Sequence, residues 1–210
     1  MRPARTPFLI TPALIAAACV LSLGVAACGP SPYAGVQDAS SGQPLIGGPF
    51  QLVDQDSRPV DQSALSGKWT AVFFGYTFCP DVCPTTLTTL GQAQAQLGDK
   101  ARNFQVLFIT VDPARDTPKQ LKAYLTSPVF PKGTRGLTGA PAQVDQAAKA
   151  YKVFYQKEGT GDSYVMDHTS AIYLMDPNGK FNRVLAENLK PDEITHQITE
   201  AMAEGPKVGA

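Results

Sequence analysis

Between residues 49 and 203 the spacing of apolar positions changes repeatedly, and each change marks an element. Residues 50–53 (FQLV) are an apolar-rich run ahead of the turn Asp54-Gln55-Asp56-Ser57, and Arg58-Pro59-Val60 returns as the second arm of a short hairpin. Residues 69–76 (WTAVFFGY) are a β-branched and aromatic run too short for a helix, which suits a central strand buried on both faces. Residues 84–97 switch to helical spacing, with Leu87, Leu90 and Leu97 near one side. A second buried strand covers 104–111 (FQVLFITV). Thr117 and Pro118 suit the N-cap and first position of a helix that continues through Leu125. Residues 141–151 read as a further helix. A third core strand at 170–175 (SAIYLM) turns at Asp176-Pro177-Asn178-Gly179 into a strand over 180–185, and an amphipathic helix over 191–203 follows. The order β-α-β-α-(α)-β-β-α predicts an α/β sandwich around a mixed sheet, with the folded domain over residues 49–210 and no internal repeat.

The N-terminal pattern is different. Arg2 and Arg5 precede an apolar stretch over 7–27 that only Thr11 and Ser22 interrupt, and it closes as Val25-Ala26-Ala27-Cys28. A positive start, an apolar middle and small residues at the end describe a secretory signal over residues 1–27. Small residues directly before Cys28 resemble a bacterial lipobox, in which signal peptidase II cleaves ahead of a lipidated Cys28. The same stretch is long enough for an uncleaved signal anchor. Either reading places the rest of the chain on the outer, periplasmic face of the bacterial cytoplasmic membrane. Residues 28–48, rich in Gly, Pro and Ser, then form a flexible tether.

Composition narrows the partners. The 210 residues carry 18 basic and 18 acidic side chains, and 43% of them are apolar, enough to fill a core. Removing residues 1–27 takes away Arg2 and Arg5, so 18 − 2 = 16 basic groups face 18 acidic ones, a net charge of −2. No basic stripe remains to neutralise phosphates, which excludes nucleic acid as a partner. Of the four cysteines, Cys19 reads as a small hydrophobe within the signal. With Cys28 lipidated, the domain keeps Cys79 and Cys83 as thiols in an oxidising compartment.

Those thiols lie in Thr77-Phe78-Cys79-Pro80-Asp81-Val82-Cys83-Pro84, between the first core strand and a helix. Cysteines four apart at a helix start can project to one side, where free N–H groups and the positive dipole end favour thiolate. Such a pair serves as a structural disulfide, a disulfide-exchange pair, or a soft-metal site; so short a loop gains little stability from closure. His168, in Met166-Asp167-His168-Thr169 before the third core strand, is the candidate third ligand. Two thiolates and an imidazole suit Cu(I), and they also suit Zn(II) with a fourth ligand. His196 has no partner pattern and reads as a surface residue. Asp81 either contributes to Cu(II) coordination or docking, or caps the helix. Asp112, Arg115 and Asp116 (DPARD) read as an ion-paired brace at the thiol end of the sheet, and Asp167 as a group that orients His168 or adds a weak fourth ligand. Met166, Phe73, Phe74 and Phe108 read as core.

Three motifs in order, Tyr76 to Pro84, Val111-Asp112-Pro113-Ala114-Arg115-Asp116-Thr117-Pro118, and Asp167-His168-Thr169, resemble the Sco/SenC family of thioredoxin-like copper proteins that serve cytochrome c oxidase assembly. The resemblance spans about residues 49–203 and implies a thioredoxin-like three-layer sandwich with Cys79, Cys83 and His168 as copper ligands. It also implies a metallochaperone, not primarily an enzyme, that delivers Cu(I) or Cu(II) to the dinuclear site of oxidase subunit II. A copper donor chaperone and a thiol reductant would be further partners, and reversible Cys79–Cys83 disulfide formation would exclude copper. The alternative is a thiol-disulfide oxidoreductase that keeps the partner's copper-site cysteines reduced. Two features oppose it: the C-x-x-x-C spacing in place of C-x-x-C, and His168-Thr169 where that fold usually places a cis-proline facing the redox pair.

Overall fold

The computed structural model describes residues 46–206. The chain divides into two units, 1–32 and 33–210; the first lies outside the described residues, as do the expected signal, Cys28 and most of the tether. No helix among the described residues is long and apolar enough to cross a membrane.

Strands β1 (Gln51–Asp54) and β2 (Pro59–Asp61) form the expected hairpin. The apolar run at 69–76 becomes β3 (Trp69–Gly75), buried at every position, and the second run becomes β4 (Phe104–Thr110). They pair in parallel from Trp69↔Phe104 to Gly75↔Thr110. Helix α1 (Val82–Gln96) joins them and begins two residues earlier than its apolar spacing predicts, which draws Cys83 into its first turn. Helix α2 (Pro118–Tyr124) starts as expected: the Thr117 hydroxyl accepts from the Gln120 N–H at 3.2 Å, with Pro118 at the first helical position.

Three strands escape the hydrophobic pattern. β5 (Arg135–Thr138) is short and holds Gly136, yet it lies between β4 and β1, parallel to the former and antiparallel to the latter. β6 (Tyr155–Glu158) and β7 (Val165–His168) form a separate antiparallel pair with mostly exposed side chains, so no apolar alternation marks them. Helix α3 (Pro141–Ala150) precedes that hairpin. β8 (Ile172–Met175), β9 (Phe181–Leu185) and α4 (Pro191–Glu204) complete the order. The third core strand therefore starts two residues later than expected, and His168 ends β7.

The main sheet runs β2-β1-β5-β4-β3-β8-β9, with a parallel β3–β4–β5 centre and antiparallel flanks. Adjacent strand residues point to opposite faces. Phe73 meets Phe108, whose ring also meets Tyr124 of α2, and Cys83 of α1 lies over Gly75 on the same face. Helix α4 packs beside α1, where the Thr195 hydroxyl donates to Gln96 Oε1 at 2.8 Å. Phe74 on the other face meets Tyr151 at the end of α3. Helices thus cover both faces, giving the three-layer mixed α/β sandwich expected, and Phe73, Phe74 and Phe108 are fully buried core.

Candidate metal centre

The sheet's parallel centre opens at the carboxyl ends of β3 and β4, the position where open α/β sheets present ligand sites. Past Gly75 the chain leaves β3 through Tyr76, Thr77 and Phe78 and reaches Cys79 before the first turn of α1. Thr77 is fixed by Asp116. Its N–H donates to Asp116 Oδ2 at 3.0 Å and its hydroxyl to Oδ1 at 2.6 Å, while the Thr110 hydroxyl donates to Oδ2 at 2.6 Å. Burial raises the Asp116 carboxyl above its ordinary range, against the opposing pull of these donors.

Both cysteines are free thiols, and with His168 they form a group whose Sγ, Sγ and imidazole nitrogen atoms all lie within 4.8 Å of one another. Cys83 is fully buried, and Cys79 is partly exposed. The Cys83 backbone N–H at the start of α1 reaches Cys79 Sγ at 3.3 Å. A hydrogen bond from the Cys83 thiol, then ones from His168 and this N–H, outweigh desolvation and pull the Cys79 thiol down to about 4. The neighbouring sulfur and burial push Cys83 up. The first proton of the pair therefore leaves from Cys79, the sulfur nearer solvent.

Gly75 allows Cys83 its place. A Cβ there would stand 2.8 Å from Cys83 Sγ and 2.8 Å from the Phe108 ring, inside any tolerable contact.

His168 arrives from the opposite side, at the end of β7, with Nε2 3.6 Å from Cys83 Sγ. Its Nδ1 lies 3.0 Å from the Thr169 carbonyl. A carbonyl only accepts, so Nδ1 donates to it, and Nε2 is the ring nitrogen that faces the thiols, the one a metal would take. The ring is wedged edge-on against Tyr76 (5.8 Å between centroids) and Phe73 (6.4 Å).

The orienting acceptor is thus the Thr169 carbonyl and not Asp167, which is exposed and outside the donor group. Asp81 is also exposed. It occupies the position before α1, but its carboxylate makes no backbone cap bond and, among the described residues, accepts from the Thr85 hydroxyl at 3.3 Å. Met166 packs partly against the core. The DPARD loop is an ion-paired brace, with Arg115 Nε donating to Asp112 Oδ2. His196 is exposed and pairs with Glu200, far in sequence from the site.

A cleft of about 350 Å³ opens at Cys79 and His168, lined also by Tyr76, Pro80, Val82 and Val165 among others, with Asp81 and Asp167 as its acidic residues. Phe78, Val82 and Val165 are 51%, 40% and 46% exposed. These apolar residues and the Thr169 carbonyl carry no periodic signal: they are set by loop conformation, and only the positions of Phe78 and Val82 between strand and helix hint at them. Chemically, two sulfurs and one imidazole nitrogen fit a soft, low-coordinate metal such as Cu(I), and they leave room for an added ligand from the cleft.

A thioredoxin-like sandwich with a Cys-Cys-His donor set at the end of its parallel strands is the class that fold and site define. The sequence pattern of SCO1/SenC matches residues 38–203, and the chain belongs to that family. A solved structure of Bradyrhizobium japonicum ScoI with copper bound is 43% identical, with a TM-score of 0.68 over 74% of this chain and 98% of that one. Yeast Sco1 with copper bound is 36% identical, with a TM-score of 0.72 over 79% of this chain and 92% of that one. An SCO2-like protein of Rickettsia felis is 36% identical over 78% of this chain and 80% of its own. Mitochondrial SCO1 homolog 1 of Arabidopsis thaliana is 37% identical over 77% of this chain but 48% of its own, so the match spans about half the length of that relative.

Proposed function

We propose that the protein is a copper metallochaperone in which Cys79, Cys83 and His168 Nε2 hold the metal and pass it to the dinuclear copper site of cytochrome c oxidase subunit II. The observation that carries this reading is the convergence of the three donors, with Nδ1 of His168 held by the Thr169 carbonyl and Nε2 facing the thiols, beside an open cleft that reaches Cys79 and His168. Copper bound in the Bradyrhizobium and yeast structures supports the metal. A 26% identical solved relative is described as a disulfide-switch member of the Sco family of cytochrome c oxidase assembly proteins, which supports a role in oxidase assembly. The exposed apolar rim of Phe78, Val82 and Val165 suits a partner that docks over the metal and substitutes its own soft ligands one at a time. Lipidation at Cys28 would hold the domain at the outer membrane face.

A second activity is favoured by the asymmetry of the pair. The Cys79 thiolate attacks a partner disulfide, forming a mixed disulfide and releasing one partner thiolate. The Cys83 thiol then attacks Cys79 Sγ, losing its proton, and displaces the other. Two electrons pass to the partner, and a Cys79–Cys83 disulfide remains.

The test is anaerobic copper loading of the reduced chain, dialysis against a chelator, and metal analysis. One copper retained per chain, lost on Cys79→Ser/Cys83→Ser, is expected. His168→Ala should weaken Cu(II) more than Cu(I), because two thiolates still hold Cu(I) linearly. Failure of the wild type to retain copper, with a rapidly exchanging Cys79–Cys83 pair, would leave the reductase as the function.

A further inference from the structure

Two of the three donors sit on the body of the domain, but His168 ends a hairpin, β6–β7, that forms its own two-stranded sheet beside the main one. Something must fix where that hairpin stands, because the third donor goes where it goes. The geometry points to Arg115.

Arg115 lies in the DPARD loop after β4 and reaches three ways. Its Nη1 donates to the Tyr164 carbonyl at 3.0 Å and, more weakly, toward the Asp162 carbonyl at 3.4 Å, both in the segment that leads into β7. Its guanidinium carbon lies 3.5 Å from the centroid of the Tyr164 ring, so the plane stacks on that side chain. The same carbon lies 4.8 Å from the centroid of Phe78, the neighbour of Cys79, and 5.7 Å from that of Tyr76, whose ring walls in His168. The loop closes on itself through Asp112: Oδ2 accepts from Arg115 Nε, and Oδ1 accepts from the Tyr164 hydroxyl at 2.7 Å. Asp112 and Tyr164 are both buried. A guanidinium is suited to this place because its planar fork serves two acceptors while its face stacks; a lysine ammonium cannot do both.

We propose that Arg115 is a positioning residue for the metal centre: by holding the hairpin at Tyr164 and the cysteine loop at Phe78, it sets where His168 stands relative to Cys79 and Cys83. It touches none of the donors. Its consequence falls on the oxidation state that depends on the imidazole, since two thiolates hold Cu(I) without it while Cu(II) needs the nitrogen. The inference rests on the copper-site reading above.

Arg115→Lys and the milder Tyr164→Phe, which removes only the hydroxyl that meets Asp112, test it in the full chain in detergent. In the reduced, metal-free protein, hydrogen exchange at residues 164–169 is expected to quicken about tenfold in either variant while β3 and β4 keep their protection. With copper, Arg115→Lys is expected to weaken Cu(II) about tenfold and alter its thiolate absorption, to leave Cu(I) stoichiometry intact, and to have no further effect in a His168→Ala background. Unchanged hairpin exchange overturns the proposal, as does an equal loss of Cu(II) with or without His168. If the wild type itself retains no copper, the copper reading fails, and the exchange experiment alone still decides whether Arg115 holds the hairpin.

Discussion

Cys79 and Cys83 are chemically identical side chains, yet the fold gives them opposite acid–base character. Cys79 gathers a thiol hydrogen bond, an imidazole and the first N–H groups of α1 around a partly exposed sulfur, and its pKa falls to about 4. Cys83, sealed against Gly75 and Phe108, faces that sulfur without comparable donors, and its pKa rises. Alkylation of the reduced chain at pH 6 should therefore mark Cys79 and spare Cys83 within the folded domain. Peptide mapping checks this, and equal labelling would contradict the asymmetry. Gly75 matters at the same scale. Gly75→Ala would force either Cys83 Sγ or the Phe108 ring to move in a closed core, an overpacking that costs about 1–3 kcal/mol. Denaturant unfolding is expected to show that loss together with a changed thiolate–Cu(II) absorption; unchanged values in both would mean the sulfur does not depend on the glycine.

Each element contributes one boundary of the centre. β3 ends at Gly75 because the next residues turn out of the sheet, held there by Thr77 on Asp116. α1 supplies the Cys83 N–H that donates to Cys79 Sγ. The 69–76 and 104–111 runs are readable as strands because burial on both faces demands unbroken apolar sequence. β6 and β7 are not, because an exposed hairpin with few core contacts imposes no apolar alternation. That is why His168 reads from sequence as a residue before β8, when it ends a strand of its own. β5 was hidden for a different reason: four residues with a glycine gain their place from neighbours on both edges, not from their own propensity.

For the whole molecule, the proposed copper site would set proton and metal in competition for the same sulfurs. With Cys79 pulled down to about 4 by its hydrogen bonds and Cys83 pushed up by the neighbouring sulfur and burial, copper bound by both sulfurs would displace one proton near neutral pH, that of Cys83. Cu(I) affinity should accordingly rise about tenfold per pH unit between pH 7 and 8.5, with one proton released per copper, a slope that competition titrations at several pH values measure. A slope of two would mean Cys79 is protonated as well; a flat profile would mean that both thiols ionise before metal arrives.

The linear sequence already contained the chemistry. Cys79 and Cys83 flank a strand-to-helix junction, His168 stands near a core strand, and long buried runs define the central strands; each follows from local propensity or from the need to bury apolar surface. Which donors meet, which nitrogen of His168 faces the thiols, and which thiol ionises first were decided only in three dimensions. Those outcomes depend on contacts between residues far apart in the chain, such as Arg115 on Tyr164 and His168 beside Cys83, whose pairing no local period encodes.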